Sequence, residues 1–269
     1  MTQTGLPAYL GRLAQLPETG AQLWLDPTQR VVGRFLRCQL ASSYQALVDL
    51  VTHETIAREA FVRSYHQADS QLSPWSLFAS AANDEDLVAL DRLCRTVHTL
   101  NHFSGANAGE PLFLNVHGRL LAAVLEDHGR AFRRVLDALG IDASRIVIET
   151  PEQVSGDHAL LGFVLANYRI NGFKVSATLN QASDIALLLT RLRPDYVKLD
   201  ARRIRRVEEA SAALRVAAAN GVRVIFQRVE TAAQLDLLRE AGARFVQGYL
   251  FGLPEAAPAV QPAIETPAA

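Results

Sequence analysis

The feature that most constrains this chain is an alternation of eight short, apolar, β-type runs with stretches patterned as helices. The runs are SSYQALVDL (42–50), a second containing Glu59, LFLNV (112–116), IVIET (146–150), KVSATL (174–179), YVKLD (196–200), VIFQRV (224–229) and FVQGYLFG (245–252). A long helix is predicted over DEDLVALDRLCRTVHTLN (84–101), where Leu87, Leu90, Leu93, Cys94, Val97 and Leu100 recur at helical spacing. Further helices are predicted over 131–140, with a glycine stop at Gly140, and over 183–192, 208–221 and 231–242. Strands that are apolar throughout and separated by helices belong to parallel sheets covered on both faces. Eight of them fit a TIM-type (β/α)8 barrel, an α/β fold. Periodicity alone leaves an open, doubly wound sheet standing beside it. The chain has 269 residues, 49% of them hydrophobic, enough for one large core.

The flanks read differently. In residues 1–41, QLWL (22–25) and RVVGRFL (31–37) surround the turn signal DPTQ, which predicts a small hairpin packed on the barrel or a partner surface. The barrel is expected over 42–254. The Ala- and Pro-rich end, 255–269, is expected to be disordered. A formal net charge of −1 argues against bulk binding of nucleic acid or anionic membrane. Two cysteines, Cys38 and Cys94, fit a reducing compartment. The N-terminus has no basic segment followed by a long apolar run, and no apolar stretch approaches about 20 residues. A cytoplasmic protein is the expectation.

Polar residues at the ends of buried strands are costly unless paired, and barrel enzymes place their working groups at such ends. Here those residues are Glu59, Asn115, Glu149, Lys198, Glu230 and Gln247. Glu59, Asn115 and Glu149 offer oxygen donors suited to Mg²⁺ or Mn²⁺, and Lys198 could stabilise charge beside them. The alternative is a set of buried polar groups bonded to one another, with Lys198 in an ion pair with Glu149 or Glu230. Cys94, His98 and His102 share one helix face in a ligand-like spacing, but they lack a fourth ligand and lie on the apolar stripe, so they read as core. Arg202, Arg203, Arg205 and Arg206 precede Glu208 and Glu209 and read as a solvated helix start.

The motif order resembles the EAL family of cyclic di-GMP phosphodiesterases over about residues 42–254. Glu59 matches the EAL glutamate, although the motif here is Glu-Ala-Phe. Asn115, Glu149, Lys198, Asp200, Glu230 and Gln247 match their motif positions, and Tyr44 and Gln45 match the opening pair, followed by Ala46 in place of proline. The resemblance implies a barrel with one strand antiparallel and a two-metal site for Mg²⁺ or Mn²⁺. It also implies a dinucleotide lip containing Gln45, Phe61, Arg63 and Gln247. The departures fall on the metal site: Thr178 and Leu179 stand for a pair of aspartates, Gln227 for a glutamate and Arg228 for the glycine after it. The expectation is a degenerate, catalytically inactive regulatory protein of cyclic di-GMP signalling, with Glu59, Asn115, Glu149, Lys198 and Glu230 vestigial. It would act through non-hydrolytic nucleotide binding or a protein partner. No metal is expected unless residual phosphodiesterase activity survives. If it lies in the mouth, Arg228 is expected to pair with Glu149, Glu59 or Glu230; the alternative is that the strand turns it outward. The altered loop at Asn180 leaves homodimerisation open.

Overall fold

The computed structural model describes residues 5–15, 22–66, 70–123, 128–152 and 156–260. In chain order the elements are α1 (Leu6–Gln15), β1 (Leu23–Leu25), β2 (Val31–Phe35), β3 (Cys38–Asp49), β4 (Thr55–His66), β5 (Ser70–Leu72), α2 (Pro74–Ala79), α3 (Asp84–Ser104), β6 (Leu112–Asn115) and α4 (Gly118–Ala123). There follow α5 (His128–Leu139), β7 (Ile146–Thr150), α6 (His158–Ile170), β8 (Lys174–Leu179), α7 (Asp184–Arg191), β9 (Tyr196–Asp200), α8 (Val207–Ala219), β10 (Arg223–Gln227), α9 (Ala232–Glu240), β11 (Phe245–Val246) and β12 (Glu255–Ala256).

Strands β4, β6, β7, β8, β9, β10 and β11 pair in parallel in that order. β3 closes the ring, antiparallel both to β4 and to β11. The result is a closed eight-stranded barrel with one reversed strand, as the resemblance implies. All eight apolar runs are barrel strands, and the open sheet is excluded. Helices α3, α5, α7, α8 and α9 form where the periodicity places them. Asn83 caps α3 by accepting from Asp86 N at 2.8 Å, and Thr231 with Gln234 forms a capping box on α9. Gly140 ends α5 at φ +70°, a left-handed stop. Helices α1, α2, α4 and α6 were not foreseen.

Side chains alternate along each strand, so every second residue enters the lumen. Leu47, Ala57, Phe113, Val147, Tyr196 and Ile225 fill its lower end as one apolar cluster. Two residues further along, the same faces present Gln45, Glu59, Asn115, Glu149, Lys198 and Gln227 (β3 runs the other way, so Gln45 precedes Leu47). The outward residues, such as Leu112, Leu114, Ile148, Val175, Leu199 and Phe226, pack under the helices.

The hairpin β1–β2 pairs antiparallel with itself, and β2 extends onto β3. Asn101 on α3 pins it, accepting from Val31 N at 2.8 Å and donating to Val31 O at 2.7 Å. Residues 255–260, expected as part of a disordered tail, correct that reading. β12 pairs with β3, Val260 N donates to Gln29 O at 2.7 Å, and Ala257 and Val260 are buried. The rest of that tail, 261–269, lies outside the described residues. Among the described residues no helix is long and apolar enough to cross a membrane.

Candidate functional site at the barrel mouth

Strand register brings together residues that are far apart in sequence. Gln45 lies opposite Glu59, Asn115 opposite Glu149, and Thr178 opposite Lys198. Lys198 is fully buried, and its ammonium sits 2.7 Å from Glu59 Oε2 and 2.6 Å from Glu149 Oε2. It also lies over the Phe113 ring, 5.2 Å from the centroid. Asn115 Nδ2 donates to Glu59 Oε1 at 2.7 Å, and Gln247 Nε2 donates to Glu59 Oε2 at 2.8 Å. Thr178, at a position the resemblance assigns to aspartate, donates its hydroxyl to Glu149 Oε1 at 3.1 Å.

The two carboxylates diverge electrostatically. Burial raises the Glu59 pKa, but the Lys198 charge and the bonds from Lys198, Asn115 and Gln247 outweigh it and hold the carboxyl below the ordinary glutamate range. Burial and the Glu59 charge together push Glu149 up to about 7, against the pull of Lys198 and Thr178. Lys198 itself is raised, because the two carboxylates outweigh its desolvation.

Five expected residues therefore form one knot: Glu59, Asn115, Glu149, Lys198 and Gln247. Gln45 joins it, accepting from Gln247 at 3.3 Å and donating to Gly252 O at 2.8 Å. Gln45 and Gln247 are buried; Gln45 spends both ends of its amide inside the protein, whereas Gln247 spends its Nε2 and leaves its Oε1 without a partner among the described residues. Glu230 is exposed on the rim, apart from the knot, with its backbone N–H donating to Gln234. Leu179 points the other way from Thr178 and is buried in the cluster under the helices.

Arg228 corrects its expected pairing. Its Nη1 donates to Asp200 Oδ2 at 2.8 Å rather than to Glu59, Glu149 or Glu230. The reason is backbone geometry. Arg228 sits at φ +59°, a left-handed conformation that glycine adopts freely and that turns the side chain toward the end of β9. The turn is tight because Gly248 abuts it: a Cβ there would lie 2.1 Å from Val229 O.

Above the knot lies an open cleft of about 960 Å³. Beyond the point where β6 stops pairing, β4 rises past the mouth and places Phe61 and Arg63 in the wall, both half-buried. The Arg63 guanidinium has no partner among the described residues. In the same cleft His117 stacks on Phe78 at 4.5 Å with an interplanar angle of 10°, and Trp75, 71% exposed, meets His117 edge-on. Gln227, Arg228, Glu230 and Tyr249 complete the rim. The sequence reading did not find Trp75, Phe78 or His117; they sit in α2 and the β6–α4 turn, which carry no strand-end signal.

Cys94, His98 and His102 behave as core. His98 Nδ1 is 2.7 Å from Ser42 Oγ, and His102 Nε2 is 2.8 Å from Glu110 O. Burial pushes both imidazoles well below neutrality, His102 to about 4. Among the described residues no group of three or more His, Cys, Asp or Glu side chains is placed to hold a metal ion. Within the arginine run, Arg203 pairs with Glu152 at 3.2 Å and Arg206 with Glu209 at 3.0 Å.

Residues 29–254 match the model of the EAL domain. The chain belongs to the EAL domain family. The match takes in β2, which the expected boundary at residue 42 leaves outside. The chain is 29% identical over 240 residues to the cyclic di-GMP phosphodiesterase NbdA of Pseudomonas aeruginosa. That alignment covers 80% of this chain and 29% of the relative, so this EAL chain spans under a third of that protein's length. Among solved structures it is similar to Klebsiella pneumoniae BlrP1 in a calcium and cyclic di-GMP complex. The TM-score is 0.68 and the identity 25%, covering 91% of this chain and 62% of that one. BlrP1 with FMN and cyclic di-GMP and no metal ions is similar at TM-score 0.65 and 23% identity, covering 92% and 61%.

Proposed function

We propose that this EAL barrel binds cyclic di-GMP at its mouth without hydrolysing it, and serves cyclic di-GMP signalling as a regulatory protein. The observation that carries the reading is Lys198 seated between Glu59 and Glu149 beneath an open cleft. Two divalent ions would need several carboxylates to balance their charge. The knot supplies two, each already facing one ammonium, plus a threonine hydroxyl and three amides. This donor set does not fit a metal pair. The chemistry that remains is recognition. The cleft has the volume of a small-ligand site. Arg63, without a partner among the described residues, suits a phosphate, and Phe61, Trp75 and His117 offer ring surfaces on which a base can stack, typically worth about 1–3 kcal/mol per base. BlrP1 with cyclic di-GMP and no metal ions offers a precedent for such a complex in a related barrel. The reading places the protein in the cytoplasm, with a protein partner reading out the bound state.

The test is calorimetric titration of cyclic di-GMP in EDTA, alongside a turnover assay in Mg²⁺ and Mn²⁺. Expected are saturable binding in EDTA, a loss of about tenfold or more in affinity for Arg63→Ala, and no linear dinucleotide above background. Metal-dependent product that disappears in Glu59→Ala would favour the alternative, a weak phosphodiesterase. Absence of binding with and without metal would favour a nucleotide-independent, protein-binding regulator.

A further inference from the structure

We propose that Arg202 and Arg228, fixed on Asp200, form a phosphate clamp at the mouth that supplies with two guanidiniums the positive charge a metal pair would otherwise bring. The inference rests on the reading above, since it names which groups hold the ligand's phosphodiester. Asp200 ends β9 and is 3% exposed. Arg202 grips it as a fork, Nε to Oδ1 at 3.1 Å and Nη2 to Oδ2 at 2.8 Å. Arg228 reaches the same Oδ2 from the β10 side through Nη1 at 2.8 Å. One carboxylate thus fixes two guanidiniums side by side, and the trio carries a net charge of +1.

The rest of each guanidinium faces outward. Both side chains are 47% exposed and both line the cleft. Nη1 of Arg202 and Nε and Nη2 of Arg228 have no acceptor among the described residues. Such N–H groups in a fixed plane match the oxygens of a phosphodiester, and orienting them in advance reduces the entropy lost on binding. Two acidic groups oppose the field. Glu230 on the rim and Glu152 act on Arg202 through space, but Glu152 is itself engaged by Arg203. Burial would raise the Asp200 carboxyl, yet the bonds from Arg202 and Arg228 hold it down at about 2. The anchor therefore stays ionised at any working pH.

Backbone geometry argues in the same direction. Arg228 occupies φ +59°, where a non-glycine residue is strained. Glycine would fill the turn without strain, so the fold alone does not call for arginine here. A strained residue that presents a charged group to a cleft is the pattern of a ligand contact.

The experiment uses the full chain in EDTA. Cyclic di-GMP is titrated into wild type, Arg228→Gly and Arg228→Lys, at two salt concentrations. Separately, the Arg228 Nε resonance, assigned by its loss in the lysine variant, is followed by NMR during addition of inorganic pyrophosphate. Arg228→Gly relieves strain and is expected to fold, which a melting curve checks. Expected are about tenfold or weaker binding for Arg228→Gly with a shallower salt dependence, an intermediate value for lysine, and a saturable pyrophosphate shift in wild type. Equal cyclic di-GMP affinity in wild type and Arg228→Gly overturns the clamp and leaves the nucleotide reading intact. If wild type fails to bind cyclic di-GMP, the pyrophosphate shift decides: a saturable shift keeps the clamp and discards that nucleotide, and no shift overturns both.

Discussion

Glu149 and Glu59 face one ammonium from two sides, yet their pKa values are displaced in opposite directions, and this gives the protein a readable pH signature. Glu149 has a folded pKa of about 7, above its ordinary 4.5, so the fold prefers it protonated. Its contribution is fully present below about pH 4.5 and is lost as pH rises through about 7, an effect of order 3 kcal/mol. Glu59, with a lowered pKa, contributes above 4.5 and loses that contribution only as pH falls further. Melting temperatures between about pH 5 and 8, a range that spans the folded Glu149 pKa of about 7, are expected to fall more steeply in wild type than in Glu149→Gln. Parallel profiles would show that Glu149 does not titrate there. At this scale the sequence named most of the knot, because a polar residue in an apolar run is conspicuous. It misplaced Arg228, because side-chain direction there depends on a left-handed backbone angle that residue type does not announce.

Among the elements, β8 shows why two neighbouring substitutions are unequal. Thr178 faces the lumen beside Lys198 and bonds to Glu149, whereas Leu179 faces the helices within the main apolar cluster. A carboxylate at 178 would meet Lys198, but one at 179 would be buried among hydrocarbon groups with no partner. Leu179→Asp is therefore expected to destabilise by about 3 kcal/mol or more, and Thr178→Asp by less than half of that. Chemical denaturation of the two single variants measures the difference, and equal losses would overturn this account. The barrel strands were legible because each is apolar and bounded by turns. Helix α6 was missed even though Leu161, Val164, Leu165 and Tyr168 follow an i, i+3, i+4, i+7 pattern; in this segment general hydrophobicity obscures the stripe. Strand β12 was hidden by its Ala- and Pro-rich composition. It exists because the β3 edge offers backbone partners, which is a tertiary cause.

For the molecule as a whole, eight strands alternating with helices fit a closed barrel but leave an open sheet standing, and one reversed strand is implied only by the family resemblance; the pairing of β3 with both β4 and β11 closes the ring. If Lys198 balances the lumen's charge, the fold needs no external ion. Melting temperatures in EDTA and in millimolar Mg²⁺ (a typical test range for stabilisation by a bound ligand) are then expected to agree within error. A rise of several degrees with metal would mean that the mouth holds an ion. The lysine that bridges Glu59 and Glu149 has one further consequence. A dissolved cation is an exchangeable ligand whose occupancy follows supply, chelation and competition from other metals. An ammonium on its own tether is made with the polypeptide at a fixed ratio of one to one and cannot be dialysed away or substituted. Such a protein would have no apo state to repopulate, and fluctuations in cellular metal would pass it by.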